Sequence, residues 1–439
     1  MDSVNITQAN SNTNRRAFLK TAAAVGGGTL AGVALAGDLL AANVHAAGGD
    51  LLKVGLIGCG GRGAGAAAQA LKADKHVTLW AMGDAFQDRL ESSLAALQRD
   101  ENLASKLDVD PARRFVGFDA YRQVIDCGVD VVLLTTPPHF RPMHLQYAVE
   151  KNKHVFAEKP VAVDAPGVRS VLASCESARK KGLSIVSGLV NRYSHANRET
   201  IQRIQDGAIG QILSIQANDF RGGLWVKPRQ PDWTDMVYQM RNWYYFTWLS
   251  GDFNVEQHIH ALDKCSWIKG GYPVRAVGTG GRQTRTAPEF GHIYDHMAVV
   301  HDYADGARLY YNGRQQSGTA NDISVLVLGA KGRAEFSARK PAIITDQEWR
   351  YTGADNNPFQ TEHDELFASI RSGTPINNGD YMAHSTLLTI QGRMAAYTGQ
   401  VITWDQALES KEDLSPPRYA WDVPLPDPPV AMPGVTRFV

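Results

Sequence analysis

Short apolar runs alternate with longer amphipathic stretches between residues 51 and 191. The apolar runs predict buried strands at 54–57, 77–82, 115–116, 130–136, 154–157 and 183–188. The stretches between them predict helices at 64–71, 85–97, 121–125, 142–151 and 166–181. Strands and helices that alternate in this way are typical of an α/β fold with a doubly wound parallel sheet, whose ligands bind at the carboxyl ends of the strands.

A different pattern begins after a predicted helix at 197–206. Predicted strands at 212–218, 274–278, 297–303, 307–313 and 324–328 follow one another without long helices between them. They predict an α+β domain, residues 192–415, with a large, mostly antiparallel open sheet. Because open sheets often pack between subunits, we expect a homo-oligomer, either a dimer or a tetramer.

The C-terminal part of the chain is expected to return to the first domain. Predicted helices at 362–371 and 385–397 would pack there. Residues 416–439 contain seven prolines, so this tail should be extended and non-helical, lying on its own subunit or on a neighbour.

A glycine-rich turn follows the first predicted strand and contains Gly58, Gly60 and Gly63 in a G-x-G-x-x-G pattern. Gly58 permits the tight turn, Gly60 lets the backbone approach a pyrophosphate, and Gly63 lets the next helix pack closely on the strand. The second strand leads to Asp84, 21 residues after Gly63, where a carboxylate can bind the ribose hydroxyls. This predicts a dinucleotide-binding Rossmann domain, residues 51–191; the alternative is a flavodoxin-like sheet without nucleotide.

The predicted cofactor is NAD, because the carboxylate of Asp84 would repel the 2′-phosphate of NADP. Other candidate cofactor-binding residues lie within the glycine turn or at the carboxyl ends of later strands. They are Cys59, Gly61, Arg62, Thr136, Pro137, His139, Glu158, Lys159 and Asn191.

Composition narrows the class of protein. The 439 residues include 45 basic and 45 acidic side chains, so no overall charge attracts the chain to nucleic acid or to anionic lipid. The four cysteines form no C-x-x-C pair, which argues against a metal knuckle or a redox motif.

The N-terminal 47 residues are interpreted as a targeting signal. Arg15 and Arg16 are followed by Ala-Phe-Leu-Lys and then by a weakly apolar stretch. The run Val44-His45-Ala46 would suit signal peptidase, with cleavage after Ala46 or Ala47. The segment resembles a bacterial twin-arginine signal, which implies recognition by the twin-arginine export machinery and a periplasmic or otherwise exported protein. An uncleaved anchor helix is the alternative.

The first domain also carries a family resemblance. The glycine turn, Thr136-Pro137 with His144 beyond it, and the run from Lys153 to Pro160 (Lys-His-Val-Phe-Ala-Glu-Lys-Pro) together resemble the Gfo/Idh/MocA oxidoreductases. The resemblance covers nearly all of the mature chain. It implies that Lys159 lies beside the nicotinamide and the substrate hydroxyl. An ammonium there would favour the alkoxide that forms when a hydroxyl loses its proton. Without the neighbouring residues of the motif, Lys159 would be interpreted as a surface lysine at a strand end.

A second set of catalytic candidates lies between residues 251 and 263, a stretch that we interpret as one helix. Glu256, His260 and Asp263 would then share a face, because they are spaced by four and three residues. The resemblance implies that His260 faces the nicotinamide and transfers the proton, and that Glu256, standing where the family usually has aspartate, orients it. A purely structural histidine is the alternative.

Substrate candidates come from an aromatic stretch, residues 225–248, which we interpret as a long loop over the site. Aromatic faces stack on sugars and arginines bind hydroxyl groups, although a buried aromatic core would give the same composition. The substrate candidates are Arg221, Trp225, Arg241, Tyr244, Asp263 and His296. We expect no metal, because His258 and His260, two residues apart on a helix, would point in different directions.

Together these features predict an exported NAD-dependent oxidoreductase that acts on a sugar or glycoside. Because no NAD pool exists outside the cytoplasm, we expect the cofactor to stay tightly bound. One alternative is a redox-neutral glycosidase, which oxidises a ring hydroxyl transiently so that a neighbouring C–H becomes acidic and elimination can occur. A further alternative is a non-catalytic periplasmic sugar-binding protein.

Overall fold

The first domain is a layered α/β unit in the computed structural model, which describes residues 50–337 and 339–439. The predicted targeting signal lies outside the described residues. The elements are β1 (Leu52–Ile57), α1 (Gly61–Ala73), β2 (Val77–Asp84), α2 (Gln87–Gln98), α3 (Glu101–Ala104), β3 (Arg114–Val116), α4 (Ala120–Asp126), β4 (Val131–Leu134), α5 (Arg141–Glu150), β5 (His154–Ala157), α6 (Ala165–Lys180) and β6 (Ile185–Ser187).

The six strands form one parallel sheet in the order β3-β2-β1-β4-β5-β6. The order reverses between β1 and β4, which gives the classical doubly wound arrangement. Strand β4 reads Val-Val-Leu-Leu and is completely buried, because helices cover both faces of the sheet. The predicted doubly wound parallel sheet is therefore confirmed.

The second domain continues with α7 (His195–Gln205), β7 (Ile212–Arg221), α8 (Asp235–Arg241), α9 (Thr247–Ser250), α10 (Phe253–Glu256), α11 (Ile259–Lys269), β8 (Arg275–Gly281), β9 (His296–Asp302), β10 (Arg308–Gln315), β11 (Asp322–Gly329), β12 (Gly332–Phe336), β13 (Ala342–Ile344), β14 (Glu348–Arg350), α12 (Pro358–Ser372), α13 (Gly379–Thr398), β15 (Ile402–Thr403) and α14 (Trp404–Glu409).

Nine strands of this domain form an open sheet in the order β14-β13-β12-β11-β7-β10-β9-β8-β15. Neighbouring strands are antiparallel except β7 and β10, so the predicted mostly antiparallel sheet is confirmed. Strands β12 to β15 were not predicted from the sequence, because strands of two to five residues are too short to show an alternating pattern.

Helices from the C-terminal part join the two domains. Helix α12 packs on α1, and α13 packs on α6, as predicted. Buried polar contacts fix this packing: the guanidinium of Arg393 donates to the carbonyl of Val163 at 2.8 Å. The first domain and the helical face of the second therefore share one interface beside the carboxyl ends of the parallel strands.

Two predictions about the middle of the chain were wrong. The aromatic stretch is not simply a long loop: residues 222–248, called the cover segment below, include α8, a 3₁₀ helix at Trp243–Tyr245 and the first two residues of α9. The stretch 251–263 is not one helix, because α10 ends at Glu256 and α11 begins at Ile259. His258 lies at this break, fully buried, with its Nδ1 2.7 Å from the hydroxyl of Tyr311.

The C-terminal tail, residues 416–439, contains neither helix nor strand and runs across its own chain. The backbone amide of Gly434 donates to the carbonyl of Thr398, and the hydroxyl of Tyr294 donates to the carbonyl of Ala431. Within the described part of the chain, no helix combines the length and the apolar character needed to cross a membrane.

Buried histidines should make stability depend on pH. Burial lowers the pKa values of His139, His258, His292 and His301 to about 4. An unfolded histidine titrates near 6.5, so below that pH the unfolded chain binds protons that the folded chain does not. We expect the free energy of unfolding to fall between pH 6.5 and 4, by roughly 3 kcal/mol per histidine at the acid end.

His363 offers a specific test of this dependence. It is buried against Phe156, neither of its ring nitrogens has a hydrogen-bond partner among the described residues, and burial lowers its pKa well below the usual value. His363→Leu should reduce the loss of melting temperature between pH 7.5 and 5, whereas His195→Leu, at an exposed site, should leave it unchanged. Identical pH profiles for all three proteins would contradict the prediction.

Candidate active site

A deep crevice of about 640 Å³ lies at the carboxyl ends of β1, β2, β4 and β5. Its walls come from the strand ends, from α1 and from the second domain. Many of the predicted residues line it together: Gly58, Gly60, Gly61, Arg62, Gly63, Asp84, Thr136, Pro137, Glu158, Lys159, Trp225, Arg241, Glu256 and His260. The crevice therefore collects the glycine turn and the candidate catalytic groups in one place.

The glycine turn has the shape of a phosphate cradle. Gly58 has a φ of 97°, and a methyl group there would lie 2.5 Å from the backbone nitrogen of Thr136. A methyl group at Gly63 would lie 2.0 Å from the carbonyl oxygen of Gly58. At Gly60 and Gly61, by contrast, a methyl group would meet no atom within 4 Å. Open space above the N-terminus of α1 is what a dinucleotide pyrophosphate requires, so these residues fit NAD.

Asp84 is held firmly at the end of β2. Its Oδ2 accepts a hydrogen bond from the backbone amide of Cys59 at 2.6 Å, and its Oδ1 accepts one from the amide of Phe86 at 2.9 Å. Burial raises the pKa of this carboxyl, although both amides oppose the shift. A fixed carboxylate on the rim of the crevice can accept hydrogen bonds from ribose hydroxyls.

Arg62, at the start of α1, connects two buried carboxylates. Its guanidinium donates to Glu158 and, at 2.8 Å, to Oε1 of Glu362 on α12. Burial and the neighbouring Glu158 raise the pKa of Glu362, and the charge of Arg62 opposes the shift. The cluster therefore ties the glycine turn to the Glu158-Lys159 corner and to the second domain.

Lys159 follows β5 and points across the crevice to α10. Its ammonium donates to Oε1 of Glu256 at 2.9 Å and to the backbone carbonyl of Glu256 at 2.5 Å. Each of the two side chains is only 13% exposed. A lysine held in this way presents its side-chain nitrogen to the open volume, where it can donate a hydrogen bond to a substrate oxygen.

His260, in the first turn of α11, lines the crevice beside this pair. Burial, and then the nearby charge of Lys159, lower its pKa well below the usual value, so the imidazole is neutral at pH 7. Its Nδ1 is buried without a hydrogen-bond partner in the described part of the chain. The Nε2 atom is therefore the ring nitrogen left to face the crevice and accept a proton.

Comparisons with known proteins identify the chain. A family model described as "Oxidoreductase family, NAD-binding Rossmann fold" matches residues 52–186, and the GFO/IDH/MocA C-terminal domain model matches residues 198–335. Together the two models cover more than half of the chain. The chain belongs to the Gfo/Idh/MocA oxidoreductase family. Its first domain is the NAD-binding Rossmann domain of that family, which confirms the prediction of a nicotinamide dinucleotide as cofactor.

Curated relatives include proteins with different activities. The 2,7-anhydro-N-acetylneuraminate hydratase of Escherichia coli is 26% identical over 178 residues, which are 40% of this chain and 44% of the hydratase. The match therefore spans less than half of that relative. Myo-inositol 2-dehydrogenase of Thermotoga maritima is 23% identical over 303 residues, covering 68% of this chain and 79% of the dehydrogenase.

Solved structures show the same fold. Aldose-aldose oxidoreductase from Caulobacter crescentus, complexed with glycerol, superposes with a TM-score of 0.64 at 19% identity over 80% of this chain and 99% of that one. Scyllo-inositol dehydrogenase from Lactobacillus casei, with bound NAD(H) and scyllo-inositol, superposes with a TM-score of 0.61 at 17% identity. The match covers 81% of this chain and 100% of that one.

Glu256 differs from the role predicted from the family. Its carboxylate binds Lys159 rather than orienting His260. The reason is the interruption between α10 and α11, which removes the regular four-residue spacing on which the prediction depended. Glu256 is therefore a partner that holds the Lys159 ammonium.

Four predicted substrate residues lie outside the crevice wall. Asp263 is fully buried and forms a two-pronged ion pair with Arg192, one turn beyond His260. Arg221 pairs with Asp219 of its own strand. Tyr244 is buried and bonded to Gln315, and His296 binds Asp295 at the start of β9. Each is held by neighbouring side chains of its own domain, so of the six predicted substrate residues only Trp225 and Arg241 line the crevice.

Three predicted cofactor-binding residues do not line the crevice but contact residues close to it. Cys59 is buried beneath the turn, and its amide holds Asp84. His139 packs against Phe140, Trp248 and Tyr419. Asn191 donates to the backbone carbonyl of His260 at 3.2 Å and so positions α11. The chain neighbours of Cys59 and His139 line the crevice, which explains why proximity in sequence made these two residues candidates.

Several residues of the crevice wall were not among the predicted site residues. Phe86 and Arg89 follow Asp84 on the rim, Phe118 follows β3, and Lys227 and Trp243 come from the cover segment. Phe86 and Arg89 could have been found from the sequence, because they lie just beyond Asp84, the candidate for binding the ribose. In the sequence, only the nearby Trp225 distinguishes Lys227 from other lysines. Its ammonium has no hydrogen-bond or ion-pair partner among the described residues.

No metal site emerges in the residues that the structure describes, where no group of three or more His, Cys, Asp or Glu side chains converges. His258 is bonded to Tyr311 and His292 to Thr247, each at a separate place in the second domain.

Proposed function

We propose that this protein is an exported NAD-dependent oxidoreductase that acts on a hydroxyl group of a sugar or glycoside. The observation that carries the proposal is the Lys159–Glu256 ion pair beside a neutral His260, at the carboxyl edge of an NAD-binding sheet. Bound NAD would supply the hydride acceptor and donor. The protein must then bind the sugar oxygen and move its proton.

The residues of the crevice suit those two tasks. The Lys159 ammonium would donate a hydrogen bond to the substrate oxygen and stabilise the alkoxide that develops there. His260 Nε2 would accept the hydroxyl proton and return it in the reverse step. Trp225 and Trp243 line the same crevice and offer aromatic faces for the C–H surface of a sugar ring.

We propose that NAD remains bound through the cycle. The support is indirect: the twin-arginine-like sequence around Arg15 and Arg16 favours export after folding, into a compartment without an NAD pool. A retained cofactor must be reduced and reoxidised by the same substrate or by a pair of substrates. Asp84 on the rim favours NAD over NADP for the reason given above.

A redox-neutral reaction is the second candidate. The relatives that support it are the anhydroneuraminate hydratases, since hydration of an anhydro sugar involves no net redox change. In such a cycle, transient oxidation of a ring hydroxyl acidifies a neighbouring C–H, elimination follows, water adds, and the carbonyl is reduced again. A neutral His260 could serve as the base for the C–H proton.

The first experiment is to denature the purified mature protein and measure released NAD(H) by absorbance and mass spectrometry. We expect about one NAD(H) per chain after extensive dialysis. A protein that is empty and turns over only with added NAD would refute the retained cofactor, while a protein that never binds NAD would refute the proposed function.

A second measurement separates the two reactions. The NAD-containing protein is incubated with sugars and glycosides in D₂O. A lactone together with an alditol would indicate coupled oxidation and reduction. Unoxidised sugar released from a glycoside, with deuterium at the carbon beside the oxidised position, would indicate the elimination route.

We also propose that the protein is a homo-oligomer. Val277, Val300 and Tyr310 are aligned across three neighbouring strands of the open sheet, and the row continues through Gln216 to Leu326. Val277 and Tyr310 are each about 40% exposed. Such a row suits packing against a second copy. Sedimentation of the mature protein at the mass of a single chain would contradict this.

A further inference from the structure

The cover segment is attached to the rim of the crevice through Arg241, the last residue of α8. Its guanidinium makes two hydrogen bonds to Asp88 on α2, at 2.7 and 2.8 Å. The same guanidinium lies over the ring of Phe86, 3.9 Å from its centre. Arg241 and Phe86 line the crevice, whereas Asp88 does not and is 62% exposed. The attachment thus joins the second domain to the residues just beyond Asp84.

The C-terminal tail makes a second attachment at the same end. Trp421 packs on Phe86 and on Phe118, with ring centres 5.2 and 4.4 Å apart. The hydroxyl of Tyr419 lies 2.8 Å from Nε2 of His139. Phe86 and Phe118 belong to the crevice wall, so the tail lies directly behind two of its aromatic side chains.

The tail also holds the cover segment. The hydroxyl of Thr234, which caps α8, donates to the carbonyl of Trp421 at 2.5 Å. The amide of Leu425 donates to Asp235 at 3.1 Å, and Gln239 donates to the carbonyl of Leu425 at 2.8 Å. Cover segment, tail and first domain therefore form one connected set of contacts around Phe86.

This set lies at the end of the crevice that Asp84 marks for the adenosine half of the cofactor. Lys159 and His260 mark the nicotinamide end, and they take no part in the contacts of the tail with Phe86, Phe118 and His139. Arg241 and Asp84 line the same crevice, so a dinucleotide bound with its ribose at Asp84 would occupy space that Arg241 borders.

We propose that the cover segment and the C-terminal tail act as a latch on the adenosine end of the crevice, with Arg241 and Trp421 as positioning residues that set the release rate of NAD(H). The proposal rests on the proposed function, because it supplies the physical means by which an exported enzyme keeps its cofactor. Neither residue takes part in the proton transfer.

The test measures cofactor release without any substrate. The mature protein is loaded with NADH, excess NAD⁺ is added, and the loss of bound NADH fluorescence gives the release rate. Asp88→Asn and Arg241→Gln should each release NADH about threefold faster, the size expected for one partly exposed ion pair. The double variant should be no faster than either single variant, because both remove the same contact.

Asp88→Asn is the decisive variant, since Asp88 is outside the crevice wall and cannot act through direct contact with the cofactor. Release unchanged in Asp88→Asn would overturn the latch, even if Arg241→Gln were faster. Raising the salt concentration should accelerate release from the wild type more than from Asp88→Asn, because salt weakens exposed ion pairs.

The tail is tested with a matched pair of variants. Trp421→Ala should release NADH about tenfold faster, because it removes an aromatic side chain from behind two residues of the wall. Arg418→Gln removes an exposed ion pair with Asp422 in the same tail and should release NADH at the wild-type rate. Equal rates in Trp421→Ala and wild type would overturn the role of the tail. A wild type that binds no NADH would instead refute the proposed function.

Discussion

Lys159→Met is expected to lower the turnover number by about 10³-fold while leaving bound NAD in place. Methionine preserves the length and apolar stem of the side chain but removes the ammonium that would face the substrate oxygen in the proposed function. Loss of one group that stabilises a developing alkoxide costs 10²- to 10³-fold in turnover, and loss of a proton-handling group costs a similar factor. Single-turnover reduction of bound NAD, followed by absorbance, measures the effect on the chemical step.

The control for this variant lies at the other end of the same strand. Lys153 precedes β5, and its ammonium donates to the carbonyl of Val129 at 2.7 Å, remote from the crevice. Lys153→Met should keep turnover within about threefold of the wild type, since surface-side lysines contribute mainly to local stability. Normal turnover in Lys159→Met would remove Lys159 from the proposed mechanism.

Glu256 complicates the interpretation of Lys159→Met, because the variant leaves this carboxylate without its partner. The double variant Lys159→Met/Glu256→Gln removes both charges and restores neutrality. If the ammonium itself matters, the double variant should be as inactive as the single one. Recovery of turnover in the double variant would show that the unpaired carboxylate, rather than the missing ammonium, caused the defect.

The first domain could be predicted closely because its determinants are local. A fully buried strand needs only a short run such as Val131–Leu134, and the turn after β1 needs glycines at fixed spacing. Asp84 and Lys159 could be placed because each follows a strand, and parallel strands end at one edge of a sheet. Both positions can be inferred from the distance along the chain to the preceding strand, and the structure places both residues in one crevice.

The second domain shows where local rules fail. The stretch 251–263 has helical spacing, yet the helix is interrupted at His258, whose ring is bonded to Tyr311, 53 residues further along the chain. Asp263 likewise faces a residue distant in sequence, Arg192, 71 residues earlier. Spacing predicted that Glu256 and His260 would interact, whereas a contact with Lys159 across 97 residues determines the position of Glu256.

The aromatic cover segment illustrates a limit of composition. Tyr244, Tyr245, Phe246 and Trp248 are buried in the core, while Trp225 is 43% exposed at the crevice. A stretch rich in aromatic residues gives no sign of which rings face a substrate and which face the core. Nothing in the sequence of the tail predicts its contacts with Phe86 and Phe118, because proline content predicts an extended chain but not the path of that chain.

Gly63→Ala is expected to abolish NAD binding and to destabilise the fold by about 3 kcal/mol. The new methyl group would lie 2.0 Å from the carbonyl oxygen of Gly58 and 2.9 Å from Oγ1 of Thr135. The first of these is a backbone atom, so strand and helix would have to separate, and overpacking of this kind costs 1 to 3 kcal/mol or more. Chemical denaturation and NADH titration measure the two effects.

Gly65 provides the matched control on the same helix. A methyl group there would have an ordinary contact, 3.5 Å from the guanidinium of Arg62. Because alanine favours a helix over glycine, Gly65→Ala should raise the free energy of unfolding by roughly 0.5–1 kcal/mol and leave NADH affinity unchanged. A loss of stability in Gly65→Ala comparable to that in Gly63→Ala would contradict the explanation by close packing.

Gly60→Ala separates binding from folding within the same turn. A methyl group at Gly60 meets no protein atom within 4 Å, and the backbone there is extended, with φ at −76°, a conformation open to alanine. The unfolding free energy should therefore stay within about 0.5 kcal/mol of the wild type. NADH affinity should fall at least about tenfold, because the methyl group would occupy the space through which the pyrophosphate approaches the backbone. Wild-type affinity in Gly60→Ala would mean that the phosphates do not lie against this turn, and the cofactor would then have to be placed elsewhere in the crevice.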